Sequence, residues 1–164
     1  MQLDGLIYAL PKEIKLLIGA FVIVLSIGFF SGLLFVEETS SANPNGIEEQ
    51  YLGNEDDEDA PVMRFKKSEK EMLTLVHNHI LSMAIIFFLV GLLVAITKLG
   101  LKFKLFLMIE PFISVILTFG GLYLLWTGML WMKYIVMFSG VLMTLTYTLS
   151  VVIILKQLLS QNKS

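Results

Sequence analysis

Two histidines, His77 and His79, sit inside an apolar run long enough to cross a bilayer. The run reads S-E-K-E-M-L-T-L-V-H-N-H-I-L-S-M-A-I-I-F-F-L-V-G-L-L-V-A-I-T, from Ser68 to Thr97. Ionisable side chains are expensive in such a run and point to function by default. On a helix, residues i and i+2 diverge by ~200°, because each residue turns the helix ~100°. The two imidazoles therefore cannot chelate one ion from the same regular helix. His79 shares its face with Met72 and Met83, whereas His77 shares its face with Leu73 and Leu81. Three chemistries fit this pattern. His79, with His77 as second candidate, could be an axial ligand to haem b, opposite a methionine of another helix or a histidine of a second subunit. His79 with Met72, Met83 and the Met129/Met132 pair could bind Cu(I), which favours imidazole and thioether ligands. Alternatively, both rings could be neutral, bonded to Ser, Thr or Tyr of neighbouring helices and holding a bundle in register.

Glu110, followed by Pro111, is a second candidate, and it lies six residues past Lys104. A carboxyl at that depth needs a partner or a proton. It could serve a proton or cation pathway, or it could snorkel to the surface and pair with Lys102 or Lys104. A third candidate is the hydroxyl set Ser139, Thr144, Thr146, Tyr147, Thr148 and Ser150. These residues could face His79, line a polar path from Glu110, or pack helices. Catalysis finds no support. G-x-S-x-G, H-E-x-x-H, G-x-x-x-x-G-K-[ST] and G-x-G-x-x-G are all missing. With no cysteine, disulfides, thiolate metal sites and covalent haem attachment are excluded.

These candidates need helices to position them. Of 164 residues, 56% are hydrophobic and 16% charged, with a mean hydropathy of +0.79. Soluble domains carry about 25% charged residues. The expected fold is all-α, an integral membrane bundle of four transmembrane helices with one long acidic loop between the first and second. The spans are read as 16–36, 69–97, 105–132 and 134–155, each at least as long as the ~20 residues that match a ~30 Å hydrocarbon core. Residues 1–15 read as an interfacial segment, with Leu3, Leu6, Ile7 and Leu10 at helical spacing, Asp4 toward water, and Pro11 ending the helix. The first span reads as a retained anchor rather than a cleaved signal. In it, Gly28 and Gly32 form a G-x-x-x-G pair, a pattern that lets helix backbones approach closely.

Residues 37–67 form the acidic loop. Ten of the fourteen acids lie between Glu37 and Glu69, including the run Glu55 to Asp59. The spacing of an EF-hand is absent. Gly46 to Asn54 is less polar and could be a short ordered element. Ser68 and Glu71 make an S-x-x-E capping box, so the second helix should begin at Glu69. Two small-residue stripes, Ser114/Thr118/Gly121/Gly128 and Gly140/Thr144/Thr148, predict close packing of the last two spans. Trp126 and Trp131 suit an aromatic belt. Seven Lys lie on the side holding both termini and residues 98–104, against five Lys or Arg on the side of the acidic loop. The positive-inside rule then predicts cytoplasmic termini, residues 156–164 included.

The segments G-I-E-E-Q-Y-L-G-N at 46–54, K-S-E-K-E-M-L-T-L-V-H-N-H-I-L-S-M at 67–83 and E-P-F at 110–112 resemble a group of small four-span membrane proteins of bacteria. The resemblance covers most of the chain and implies a bacterial inner membrane, without an assigned activity. The expected role is non-catalytic, as a subunit or accessory factor of a larger membrane complex. Its partners would be membrane lipids and other membrane subunits or further copies of the chain, with no nucleic acid.

Overall fold

The computed structural model describes residues 3–40, 43–55 and 62–160. The elements of the described part are all helices: α1 (Leu6–Ala9), α2 (Lys12–Ser40), α3 (Pro44–Leu52), α4 (Glu69–Ala95), α5 (Leu101–Val115), α6 (Gly121–Trp126) and α7 (Met132–Leu159). A π-helical turn, Ile116–Gly120, joins α5 to α6 in one continuous rod. Four helical stretches are long and apolar enough to cross a membrane: Lys12–Ser40, Glu69–Ala95, Leu101–Trp126 and Met132–Leu159. Their helical cylinders overrun the apolar stretches, so the ends reach the headgroup layer or accommodate by tilt. Most of the acidic run, Asp56 to Asp59, lies outside the described residues.

Hydrogen bonds place the chain's two ends together. The Lys98 N–H donates to Gln157 Oε1 at 2.8 Å, and Gln157 Nε2 returns a bond to the Lys98 carbonyl at 3.1 Å. At the same end the N-terminal segment docks on the α4–α5 turn. The Ile7 N–H donates to the Ile96 carbonyl at 3.1 Å, and the Ile7 side chain is fully buried. Among the described residues before Pro11 one turn is helical, Leu6–Ala9, and Pro11, which has no N–H to donate, separates it from α2. Asp4 does not simply face water, because its carboxylate pairs with Lys104 Nζ at 2.6 Å. That ammonium is nearly buried and also donates to the Thr97 carbonyl at 2.7 Å and the Ala95 carbonyl at 3.1 Å. All three of its N–H bonds are used. The Lys104 ammonium holds the Asp4 carboxyl below the usual carboxylate range.

The opposite end carries the loop. Here the ordered element expected within Gly46–Asn54 is the helix α3. The Asn43 side chain caps it by accepting from the Gly46 N–H at 2.8 Å, with Pro44 at the first helical position. Gly53 ends it at φ +86°, where a Cβ would lie 2.8 Å from the Lys66 nitrogen. The two arms of the loop are tied by the Asn54 N–H to the Arg64 carbonyl at 3.0 Å and the Lys67 N–H to the Tyr51 carbonyl at 3.1 Å. α3 then seals this end of the bundle. Its Glu48 pairs with Lys133 at 2.5 Å, and Trp126 Nε1 donates to the Lys67 carbonyl at 2.7 Å. Lys66 lies over the Trp126 ring, 5.2 Å from its centroid. Burial pushes the Tyr51 phenol up.

The tight core is made by α4, the α5–α6 rod and α7. Gly121 marks its closest approach, where a Cβ would meet Val136 Cγ2 at 2.9 Å and Met132 Cε at 3.2 Å. Of the two expected small-residue stripes, Ser114, Thr118 and Gly121 are buried as read, but Gly128 lies exposed in the turn at φ +107°. On α7 the buried row is Val136, Ser139, Met143, Thr146 and Ser150 rather than Gly140, Thr144 and Thr148, which are half-buried. The two rows are neighbours around the helix, and the bulkier one fills the seam beside Gly121. α2 stands at the periphery. It is held chiefly by Tyr147, whose ring stacks on Phe29 at 3.9 Å and whose hydroxyl meets Ser26 Oγ at 3.2 Å. Gly28 and Gly32 are exposed, and nothing lies within 4 Å of a Cβ built on either.

Candidate intramembrane polar site

The outer part of α4 begins where the capping box places it. The Ser68 N–H donates to Glu71 Oε2 at 2.8 Å, and the Glu71 N–H donates back to Ser68 Oγ at 3.4 Å. From this fixed start, Met72 turns into the core and is fully buried, while His77, Asn78 and His79 are exposed on the outside of the bundle. Met83 is half-buried. The hydroxyl partners expected on neighbouring helices do not serve His79. Its Nδ1 lies 2.8 Å from the Leu75 carbonyl of its own helix. A carbonyl only accepts, so Nδ1 carries the hydrogen and Nε2 keeps its lone pair open. The ring stacks on Phe119 of the π turn, with centroids 4.7 Å apart. The side chains of His77 and Asn78 have no hydrogen-bond partner among the described residues. Among the described residues no three His, Cys, Asp or Glu side chains gather closely enough to hold a metal ion.

Glu110 behaves differently from the expected snorkelling acid. Lys104 is committed to Asp4, Ala95 and Thr97, and Glu110 turns the other way, along α5 toward the π turn. The residue is only 7% exposed. Ser114 Oγ, one turn further on, donates to Glu110 Oε1. Glu110 Oε2 is buried without a hydrogen-bond partner among the described residues. Four-residue spacing carries this row onward to Thr118, whose hydroxyl meets Ser139 Oγ of α7 at 2.8 Å. Ser139 also donates to the Ile135 carbonyl at 2.8 Å or the Val136 carbonyl at 3.1 Å. Thr146 and Ser150 are each 1% exposed and bond back to carbonyls of α7. The α7 hydroxyls are thus largely spent within their own helix, which limits them as partners for His79. Pro111 has no N–H for the Leu107 carbonyl four residues earlier. The π turn follows directly, and such turns inside α-helices recur at functional sites.

The histidines and Glu110 are therefore separate. His77 and His79 face outward near the loop end, while Glu110 faces inward nearer the end holding both termini. The row Glu110–Ser114–Thr118 runs between them and stops at Phe119, the ring beneath His79. Asn78, which shares the outer face, and the Lys104 knot were both missed in the sequence reading. An unpaired amide inside an apolar run could have flagged the first. No local pattern signals the second, because Asp4 and Lys104 are 100 residues apart.

A helical rod broken by a π turn, three close-packed spans and a fourth at the periphery define a multi-pass membrane protein. The chain belongs to the Aq_1264_TM family, a transmembrane helical domain whose model matches residues 41–164. The match takes in α3 to α7 and agrees with a small four-span membrane protein. No curated protein and no solved structure matches the chain.

Proposed function

We propose that this protein acts without catalysis of its own, as a subunit of a larger helical assembly in the membrane. The observation that carries this reading is the unpartnered polar face of α4. Asn78 lies seven residues beyond Glu71, about 10 Å further along the helix axis. An amide left without a hydrogen bond in an apolar medium costs roughly 2–7 kcal/mol. Helices in membranes commonly satisfy such groups across an interface. The exposed Gly28 and Gly32 of α2 offer a second surface that a foreign helix could approach closely. The excess of Lys on the side of both termini supports a bacterial inner membrane with cytoplasmic termini and the loop outside.

The chain has no cysteine, so single cysteines report cleanly. Asn78→Cys and Ile116→Cys, the latter at a well-exposed site on the rod, are compared in native membranes with a bifunctional maleimide. The expected result is a higher-mass adduct at position 78 and none at 116. Equal cross-linking at both positions sinks the reading.

A second reading is favoured by His79. A backbone carbonyl that holds Nδ1–H leaves Nε2 directed outward for a ligand, which is the way metal-bound histidines are usually oriented. This suits a haem b ligand shared with a partner subunit better than copper, because Met72 is sealed in the core while His79 is exposed. A Soret band in the purified protein that disappears in His79→Ala would support it. A colourless, metal-free protein from haem- and copper-replete cells would end it.

A further inference from the structure

We propose that Glu110 is a proton-binding site inside the bundle, holding one proton on Oε2. This rests on different residues from the assembly reading and stands or falls separately. The geometry begins with the two carboxyl oxygens. Oε1 accepts from Ser114 Oγ, and Oε2 is buried with nothing among the described residues to accept from or donate to.

Among the described residues no cation pairs with Glu110, and Lys98 and Lys156, one residue past the uncharged stretches of α4 and α7, are exposed. Residues 16–36 of α2, 80–97 of α4 with its end, and 134–155 of α7 contain no Asp, Glu, Lys, Arg or His. The titratable groups in those stretches are two tyrosines. Tyr134 is exposed, and Tyr147 is turned to Phe29 and Ser26 of α2. On α5 itself, Lys102 is exposed and Lys104 has no N–H left to give. His79 stands on Phe119 and bonds its own helix. A carboxylate desolvated without a positive partner costs several kcal/mol, so the smallest occupant that removes the charge is a proton.

A bound metal cation is a poorer fit. Hard cations take about six or more oxygens, and the side-chain oxygens bonded together here are those of Glu110 and Ser114. A water has better prospects, because the Leu107 carbonyl lacks its usual donor at Pro111. The step needs no co-reactant. Carboxylic acid and water become carboxylate and hydronium when the proton leaves Oε2, and the reverse restores the acid.

The test uses the full chain in lipid vesicles and dicyclohexylcarbodiimide, an apolar reagent that modifies protonated carboxyls, with the site read by peptide mass spectrometry. Modification should fall on Glu110 far more than on Glu13, Glu37 or Glu71. Because the reagent attacks only the protonated acid, modification should fall as pH rises. Replacing choline with sodium should leave the rate unchanged. Glu110→Gln should abolish the adduct. Ser114→Ala, which removes the bond to Oε1 but leaves Oε2 buried, should keep the adduct on Glu110 and provides a second variant should Glu110→Gln misfold. An unmodified Glu110 at every pH, a pH-independent rate, or protection by sodium would each overturn the proposal.

Discussion

Replacing Lys104 with methionine should release the N-terminal segment from the bundle. The ammonium gives one N–H to each of Asp4, Thr97 and Ala95. Methionine keeps a long unbranched chain but leaves the Thr97 and Ala95 carbonyls without that donor. Each buried acceptor so abandoned costs roughly 1–3 kcal/mol. Water at the membrane surface recovers part of this, which leaves about 3 kcal/mol for the pair. No part of that figure is assigned to Asp4, which is exposed. At about 1.4 kcal/mol per factor of ten, the docked state loses roughly 100-fold. Amide hydrogen exchange reads this directly at Ile7, whose N–H is held by the Ile96 carbonyl. In detergent or nanodiscs, exchange at Ile7 should quicken by about two orders of magnitude, while Val90 in mid-α4 stays protected. Exchange at Ile7 within threefold of the parent, about 0.6 kcal/mol, would refute the claim that Lys104 ties the segment down.

The same amide should report acid. Asp4 is held below its ordinary range by Lys104, so its contribution is complete above the ordinary aspartate value and is lost as pH falls through the lowered one. Ile7 protection factors should therefore stay flat from neutral pH down to that range and drop only below it, and Asp4→Asn should abolish the acid limb. Gly121→Ala should cost about 1–3 kcal/mol, because stiff Val136 stands where the new methyl would go, whereas Gly28→Ala should be nearly silent. Tryptophan-detected thermal midpoints compare the two. Ser68→Ala should cost about 1 kcal/mol, seen as roughly fivefold faster exchange at the Glu71 amide.

The four spans and the start of α4 were readable because each rests on a local signal, either a long apolar run or a Ser-x-x-Glu pair. Which way each helix faces was not readable. In lipid both faces of a span are apolar, so hydropathy does not separate the packed row Ser139–Met143–Thr146–Ser150 from the neighbouring row Gly140–Thr144–Thr148. The same blindness hid Met72 inside the core and put His79 outside it, although all that the spacing established was a shared side of α4. Glu110 was singled out as an acid in an apolar run, but its direction depended on a contact remote in sequence. Once Asp4 claims Lys104, no lysine draws the carboxyl to the surface, and Ser114 one turn deeper becomes its partner. The π turn left no trace in the sequence reading, since its residues are as helix-compatible as those around them.

The order in which these contacts become available has its own consequence. A ribosome adding ~5–20 residues per second emits Lys104 roughly 5–20 seconds after Asp4, and Tyr147 later still. During that interval α2 must enter the bilayer with neither its N-terminal tether nor the ring that will hold Phe29. It can rely only on its own affinity for lipid, and it has the highest mean hydropathy of the four spans. The helix least integrated into the finished bundle is thus the one best equipped to survive biogenesis alone, and the Lys104 knot serves as a later clasp that can close once the first two spans and the start of the third have been made.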